Sequence, residues 1–151
     1  MKVAILMGSK SDAPVMAECE RYLAHFGIES ETRVTSAHRS PDATAAFCQS
    51  ARDNGFACII AAAGMAAHLA GAAAAHSTLP IIGVPLENSA LHGVDALYST
   101  VQMPTGVPVA TMTIGKAGAA NAAIFCAQLL SIHDAKLQQK LLDFKKMGSR
   151  L

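Results

Sequence analysis

The sequence predicts an α/β fold in which a parallel sheet of about five strands is covered by helices on both faces. Strand-like and helix-like apolar periods alternate from one end of the chain to the other. Most strand-like runs are apolar almost throughout, as strands buried on both faces must be. Polar clusters follow the strands, and in such sheets ligands bind at the carboxyl ends of the strands, near a switch in strand order.

"KVAILM" (2–7) reads as a buried strand, followed by the polar turn "GSKSDA". "PVMAECERYLAHF" (14–26) is an amphipathic helix with Pro14 in its first turn and Gly27 at its end. "IESETRVT" (28–35) alternates as the second strand. Ser40 suits an N-cap and Pro41 the first helical position, so a helix runs from there to about Asn54 and stops at Gly55. "ACIIAA" (57–62) is the third strand, and Ala66 to about Ala75 the helix after it. "PIIGVP" (80–85) is the fourth strand, and "ENSALHGVD" a loop. A short helix spans about Asp95–Gln102, "VATMTI" (109–114) is the fifth strand, and an alanine-rich helix covers about Ala117–Ser131. An amphipathic helix at about 134–147 closes the chain, whose end is basic.

With 151 residues the chain fits a single domain, 1–151, able to bury a substantial core. It is 52% hydrophobic and 15% charged, with a formal net charge of +1, which argues against disorder and offers no electrostatic footprint for nucleic acid or an anionic membrane. "ACIIAAAGMAAHLAGAAAA" (57–75) has the length of a membrane span, but it is mostly alanine, contains His68, and divides at Gly64 into strand and helix. Cys19, Cys48, Cys58 and Cys126 form no CxxC pair, and no secretory leader is expected ahead of the first strand. Reduced thiols in a cytoplasmic protein are expected, without a structural zinc site.

Of the polar clusters, "GSKSD" (8–12) places Ser9, Ser11 and backbone N–H groups at a helix N-terminus, which favours an anion. Asp12 would repel a phosphate and better suits sugar hydroxyls or the loop's own backbone. Capping by Ser11 or Asp12 is the alternative reading. In "SAHRSP" (36–41), Arg39 offers a fixed fork of donors for phosphate or carboxylate, and His38 exchanges protons near neutral pH. An anion held by the serines and Arg39 leaves His38 for the reacting part of a ligand. In "AGMAAHLAG" (63–71), Gly64 allows close approach of a flat ligand, and His68, early in the next helix, either faces the pocket or packs. No HExxH, GxSxG or paired-carboxylate pattern is present. What remains suits proton transfer on a small phosphorylated ring compound, without an external cofactor.

"MGSKSD", "SAHRSP", "AAHLAG", "GVDALYSTVQMPTGVPVAT" and "IGKAGAANAA" together resemble the PurE family of N5-carboxyaminoimidazole ribonucleotide mutases, in family order and spacing over nearly the whole chain. The resemblance implies a flavodoxin-like three-layer α/β/α sandwich and a homo-octamer with active sites at subunit contacts. It implies transfer of a carboxylate from the exocyclic nitrogen of a phosphoribosyl aminoimidazole to ring carbon C4, without ATP, metal or biotin. Ser9, Ser11 and Arg39 would then hold the phosphate and Asp12 the ribose. Ser36, Gly64 and Leu69 would line the imidazole and carboxylate end, with His38 as general acid–base and His68 beside the same pocket. Ala70 stands where the family usually has proline, and Met65 replaces a common glycine, so the third loop differs in stiffness or shape.

The nearest alternative is the related aminoimidazole ribonucleotide carboxylase, which uses free carbon dioxide. That branch typically has lysine after "SAH" and a different third loop, so Arg39 and "GMAAHLAG" favour the mutase. A non-catalytic nucleotide-binding module of the same fold is the alternative from another class. A flavin carrier is disfavoured, because two tyrosines and no tryptophan leave little to stack on the ring.

Overall fold

The computed structural model describes residues 2–151. Five parallel strands form one sheet in the order β2-β1-β3-β4-β5, with β1 at Lys2–Met7, β2 at Glu29–Val34, β3 at Phe56–Gly64, β4 at Ile81–Leu86 and β5 at Ala110–Thr111. This is the flavodoxin-like order, whose switch point lies between β1 and β3. The helices are α1 (Ala13–Phe26), α2 (Pro41–Ser50), α3 (Leu69–His76), α4 (Val94–Val101), α5 (Lys116–Ser131) and α6 (Ala135–Lys146).

Because side chains alternate across a strand, the sheet feeds two cores. Val3, Ile5, Cys58, Ile60, Ile82 and Val84 pack under α1, α5 and α6, whose buried faces supply Leu23, Phe26, Cys126 and Phe144. Ala4, Leu6, Ile59, Ala61 and Ile81 face the other way, under α2 and α3, with Cys48, Leu69 and Ala73. The four free thiols are buried. Burial pushes the Cys48 thiol up to about 11, and burial likewise raises Cys19. Contact with Cys126 and burial raise Cys58, so none of these three ionises readily.

Four expectations need correction. The fifth strand, expected over 109–114, pairs only at Ala110–Thr111, opposite Ile82 and Gly83. Pro85 in β4 has no N–H to continue the ladder, so the chain runs on beside β4 through single bonds from Met112 N–H to the Gly83 carbonyl and from Gly115 N–H to the Pro85 carbonyl. The third helix, expected from Ala66, starts at Leu69, because Met65 takes a left-handed backbone (φ 55°) and the chain turns once more before the helix. The second helix ends at Ser50, short of Asn54, and turns carry the chain to Gly55 at φ 80°. Ser40 occupies the N-cap position, but its hydroxyl makes no cap bond. It donates to the Ser36 carbonyl and accepts from the Ser36 N–H, closing the loop before α2. A 3-10 turn at Lys10–Asp12, unexpected from the sequence, precedes α1. Among the described residues, no helix is long and apolar enough to cross a membrane.

Candidate active site

The loops after β1, β2, β3 and β4 enclose a cavity of about 440 Å³ at the carboxyl edge of the sheet. The first wall begins where Gly8 leaves β1, its N–H held by the Ala62 carbonyl of β3. Ser9 then caps the 3-10 turn. Its hydroxyl accepts from the Ser11 N–H and from the Ser11 hydroxyl, at 3.3 and 2.9 Å. Asp12 closes the reciprocal half of a capping box by accepting from the Ser9 N–H at 2.9 Å. Capping and cavity lining are therefore done by the same residues, with Ser9 as the cap in place of Ser11 or Asp12. Asp12 is 3% exposed as a residue, and burial raises its carboxyl group above the ordinary 3.8, against the lowering effect of bonds from Ser9 and Asn88.

The second wall is Ser36–Arg39. Thr35 N–H extends the pairing of β2 with β1 by bonding the Met7 carbonyl, which sets this loop beside the first. The Ser36 hydroxyl accepts from the Arg39 N–H, and the Ser40 N–H bonds the Ser36 carbonyl. This compact turn holds the backbone of His38 and Arg39 while their side chains stay exposed. Arg39 forms no ion pair among the described residues, so its guanidinium is available to an anion.

The third wall runs from Ala63 to Leu69. Because α3 starts late, His68 is its N-cap residue and lies outside the first turn. His68 Nδ1 is 2.5 Å from His38 Nε2, and the rings meet nearly edge to face with centroids 4.7 Å apart. Of the two readings open for His68, the structure supports the one that faces the pocket. Leu69, the first residue of α3, is buried in the core and also lines the cavity.

All nine residues singled out for the site, namely Ser9, Ser11, Asp12, Ser36, His38, Arg39, Gly64, His68 and Leu69, line this one cavity. Asn88, which was not singled out, also lines it and donates through Nδ2 to Asp12 Oδ1 at 3.0 Å. The only hint in the sequence was its place in the polar cluster after β4. Met65, exposed at 61% on its left-handed backbone, stands over the same space. The arrangement offers two imidazoles in contact, one unpaired cation, a pair of hydroxyls at a turn N-terminus and small apolar walls. Such a set can bind an anionic tail and move a proton at the opposite end.

The AIR carboxylase family model matches residues 2–150. The N5-carboxyaminoimidazole ribonucleotide mutases of Vibrio vulnificus and Escherichia coli strain K12 are each 51% identical to this chain over 145 residues. Those alignments cover 96% of this chain and, respectively, 90% and 86% of the relatives. The crystal structure of Treponema denticola PurE superposes with a TM-score of 0.88 at 26% identity, covering 97% of this chain and 90% of that one.

Proposed function

The chain belongs to the AIR carboxylase family, and on that premise we propose that it is a mutase of purine biosynthesis converting N5-carboxyaminoimidazole ribonucleotide to 4-carboxy-5-aminoimidazole ribonucleotide. The observation that carries the reading is the convergence of His38, Arg39, Ser9, Ser11 and Asp12 on one cavity in a chain so similar to named mutases. Arg39 and the hydroxyls of Ser9 and Ser11 take the phosphate, and Asp12 accepts from the ribose hydroxyls. Ser36, Gly64 and Leu69 border the imidazole.

Catalysis proceeds in two halves. The bond from the exocyclic nitrogen to the carboxylate carbon breaks, its electron pair stays on nitrogen, and His38 delivers a proton there. Carbon dioxide is released inside the cavity. Ring carbon C4, made nucleophilic by the free amine, attacks it to form the new carbon–carbon bond. The C4 proton then passes to His38, which restores the starting state. Holding the two fragments together in one cavity replaces a bimolecular encounter. His68, in contact with His38, orients its ring.

The enzyme works as a homo-octamer in the cytoplasm. Leu91, Val94, Tyr98 and Val101 form an exposed apolar stripe along α4 and the turn before it, which supports burial against another subunit. Four free thiols suit a reducing compartment.

Freshly prepared N5-carboxyaminoimidazole ribonucleotide, supplied without bicarbonate or ATP, tests the assignment. Conversion to the C4 acid supports the mutase. Product formed only from aminoimidazole ribonucleotide plus bicarbonate would show a carboxylase, and binding without conversion would show a nucleotide-binding module.

A further inference from the structure

We infer that Asn88 is a positioning residue of this site, whose side-chain amide holds the Asp12 carboxylate in the geometry that meets the ligand. The role given to Asp12 rests on the function proposed above, whereas the clamp stands on geometry alone.

Asn88 follows β4, two positions after Leu86, and Asp12 follows β1; β3 lies between those strands. The Asn88 Nδ2–Asp12 Oδ1 bond of 3.0 Å therefore ties loops from strands that do not touch. Asp12 Oδ2 is tied separately, by the Ser9 N–H at 2.9 Å. Each carboxylate oxygen is thus fixed by one donor and keeps capacity to accept a second, as a sugar hydroxyl requires. Because Asp12 is buried, its ionised form depends on such donors.

The amide is also wedged from behind. A Cβ built on Gly64 would lie 1.5 Å from Asn88 Oδ1 and 2.6 Å from Cγ. An ionised carboxylate only accepts, so the NH₂ group faces Asp12 and the amide oxygen lies against Gly64. A side chain at position 64 would therefore have to displace the Asn88 amide, so Gly64 leaves that amide its place.

Steady-state kinetics and thermal melting of Asn88→Ala, Asn88→Asp and Gly64→Ala, each also melted in an Asp12→Asn background, test the clamp. The other charged or titratable groups lining the cavity are His38, Arg39 and His68, so each variant is compared with the wild type at the same pH. Asn88→Ala and Gly64→Ala should raise KM by about tenfold with kcat within about threefold, the pattern of lost ground-state binding. Asn88→Asp should lose affinity and melting temperature progressively as pH rises and its new carboxylate ionises opposite Asp12, and the melting loss should vanish in the Asp12→Asn background. A wild-type KM in Asn88→Ala, or melting penalties that simply add across the two positions, overturns the assignment. If the wild type itself fails to turn over the substrate, the proposed function falls, and the melting cycle alone decides whether Asn88 holds Asp12.

Discussion

His38 Nε2 lies 2.5 Å from His68 Nδ1, so the loop after β2 and the loop after β3 are joined across β1 by two imidazoles. At that distance one nitrogen must donate and the other accept, which fixes the tautomers of both rings relative to each other. His68→Ala should therefore lower kcat by about tenfold through a misaimed His38, a smaller loss than removing a general acid–base outright. KM should change little. Steady-state kinetics checks this, and a kcat equal to that of the wild type would remove His68 from the mechanism.

Under the proposed function Arg39 serves binding and leaves the chemistry to His38, a division that substitution can test. A charge-assisted hydrogen bond contributes about 1.5–3 kcal/mol, so Arg39→Ala should weaken binding of the phosphate-bearing substrate by roughly 10–150-fold and leave kcat near its normal value. Arg39→Lys should recover part of the loss, as a point charge lacks the planar fork. Titration calorimetry with aminoimidazole ribonucleotide measures both.

Asp12 makes stability depend on pH in an unusual direction for a carboxylate. Burial raises its folded-state pKa above the ordinary 3.8 of the unfolded chain. Between those two values the folded form binds more protons, so its contribution is fully present below 3.8 and is lost as pH rises through the folded value. Asp12→Asn should accordingly gain melting temperature relative to the wild type as pH rises through that window, and then hold a constant difference. Melting curves from acid to neutral pH measure this, and a difference that shrinks with rising pH would contradict it.

Gly118 sits in the first turn of α5 against the loop that follows β5. A Cβ there would lie 1.7 Å from the Thr113 carbonyl oxygen and 3.4 Å from Val84 Cγ1. Alanine within a helix normally stabilises by about 0.5–1 kcal/mol over glycine. Here a backbone atom must move, and overpacking costs about 1–3 kcal/mol, so the steric effect wins. Gly118→Ala should lower the melting temperature by several degrees, whereas Gly55→Ala, with open space but φ 80°, should show only the smaller backbone penalty.

Much of this site was legible because each loop follows a strand whose period is clear. "GSKSD" and "SAHRSP" come after β1 and β2, which pair directly, so their polar residues had to meet at one edge. The contact between His38 and His68 was not legible, since it depends on how far two loops lean across β1. The late start of α3 was hidden for a related reason: alanine favours helix, but the left-handed Met65 and the tight turn from the His68 N–H to the Ala66 carbonyl delay it. Asn88 is not legible in the sequence, because a single asparagine in a loop is ordinary turn chemistry and its significance appears only once β4 brings it to Asp12. Pro85 could have been read as the end of the β5 ladder, but only after β4 and β5 were known to be neighbours.

Paired measurements of turnover and substrate affinity on His38→Asn reach the centre of the account. The variant should fold, bind the ribonucleotide within about threefold of the wild type, and lose about 10²–10⁴-fold in kcat. Normal turnover of N5-carboxyaminoimidazole ribonucleotide by that variant would mean that another group moves the protons.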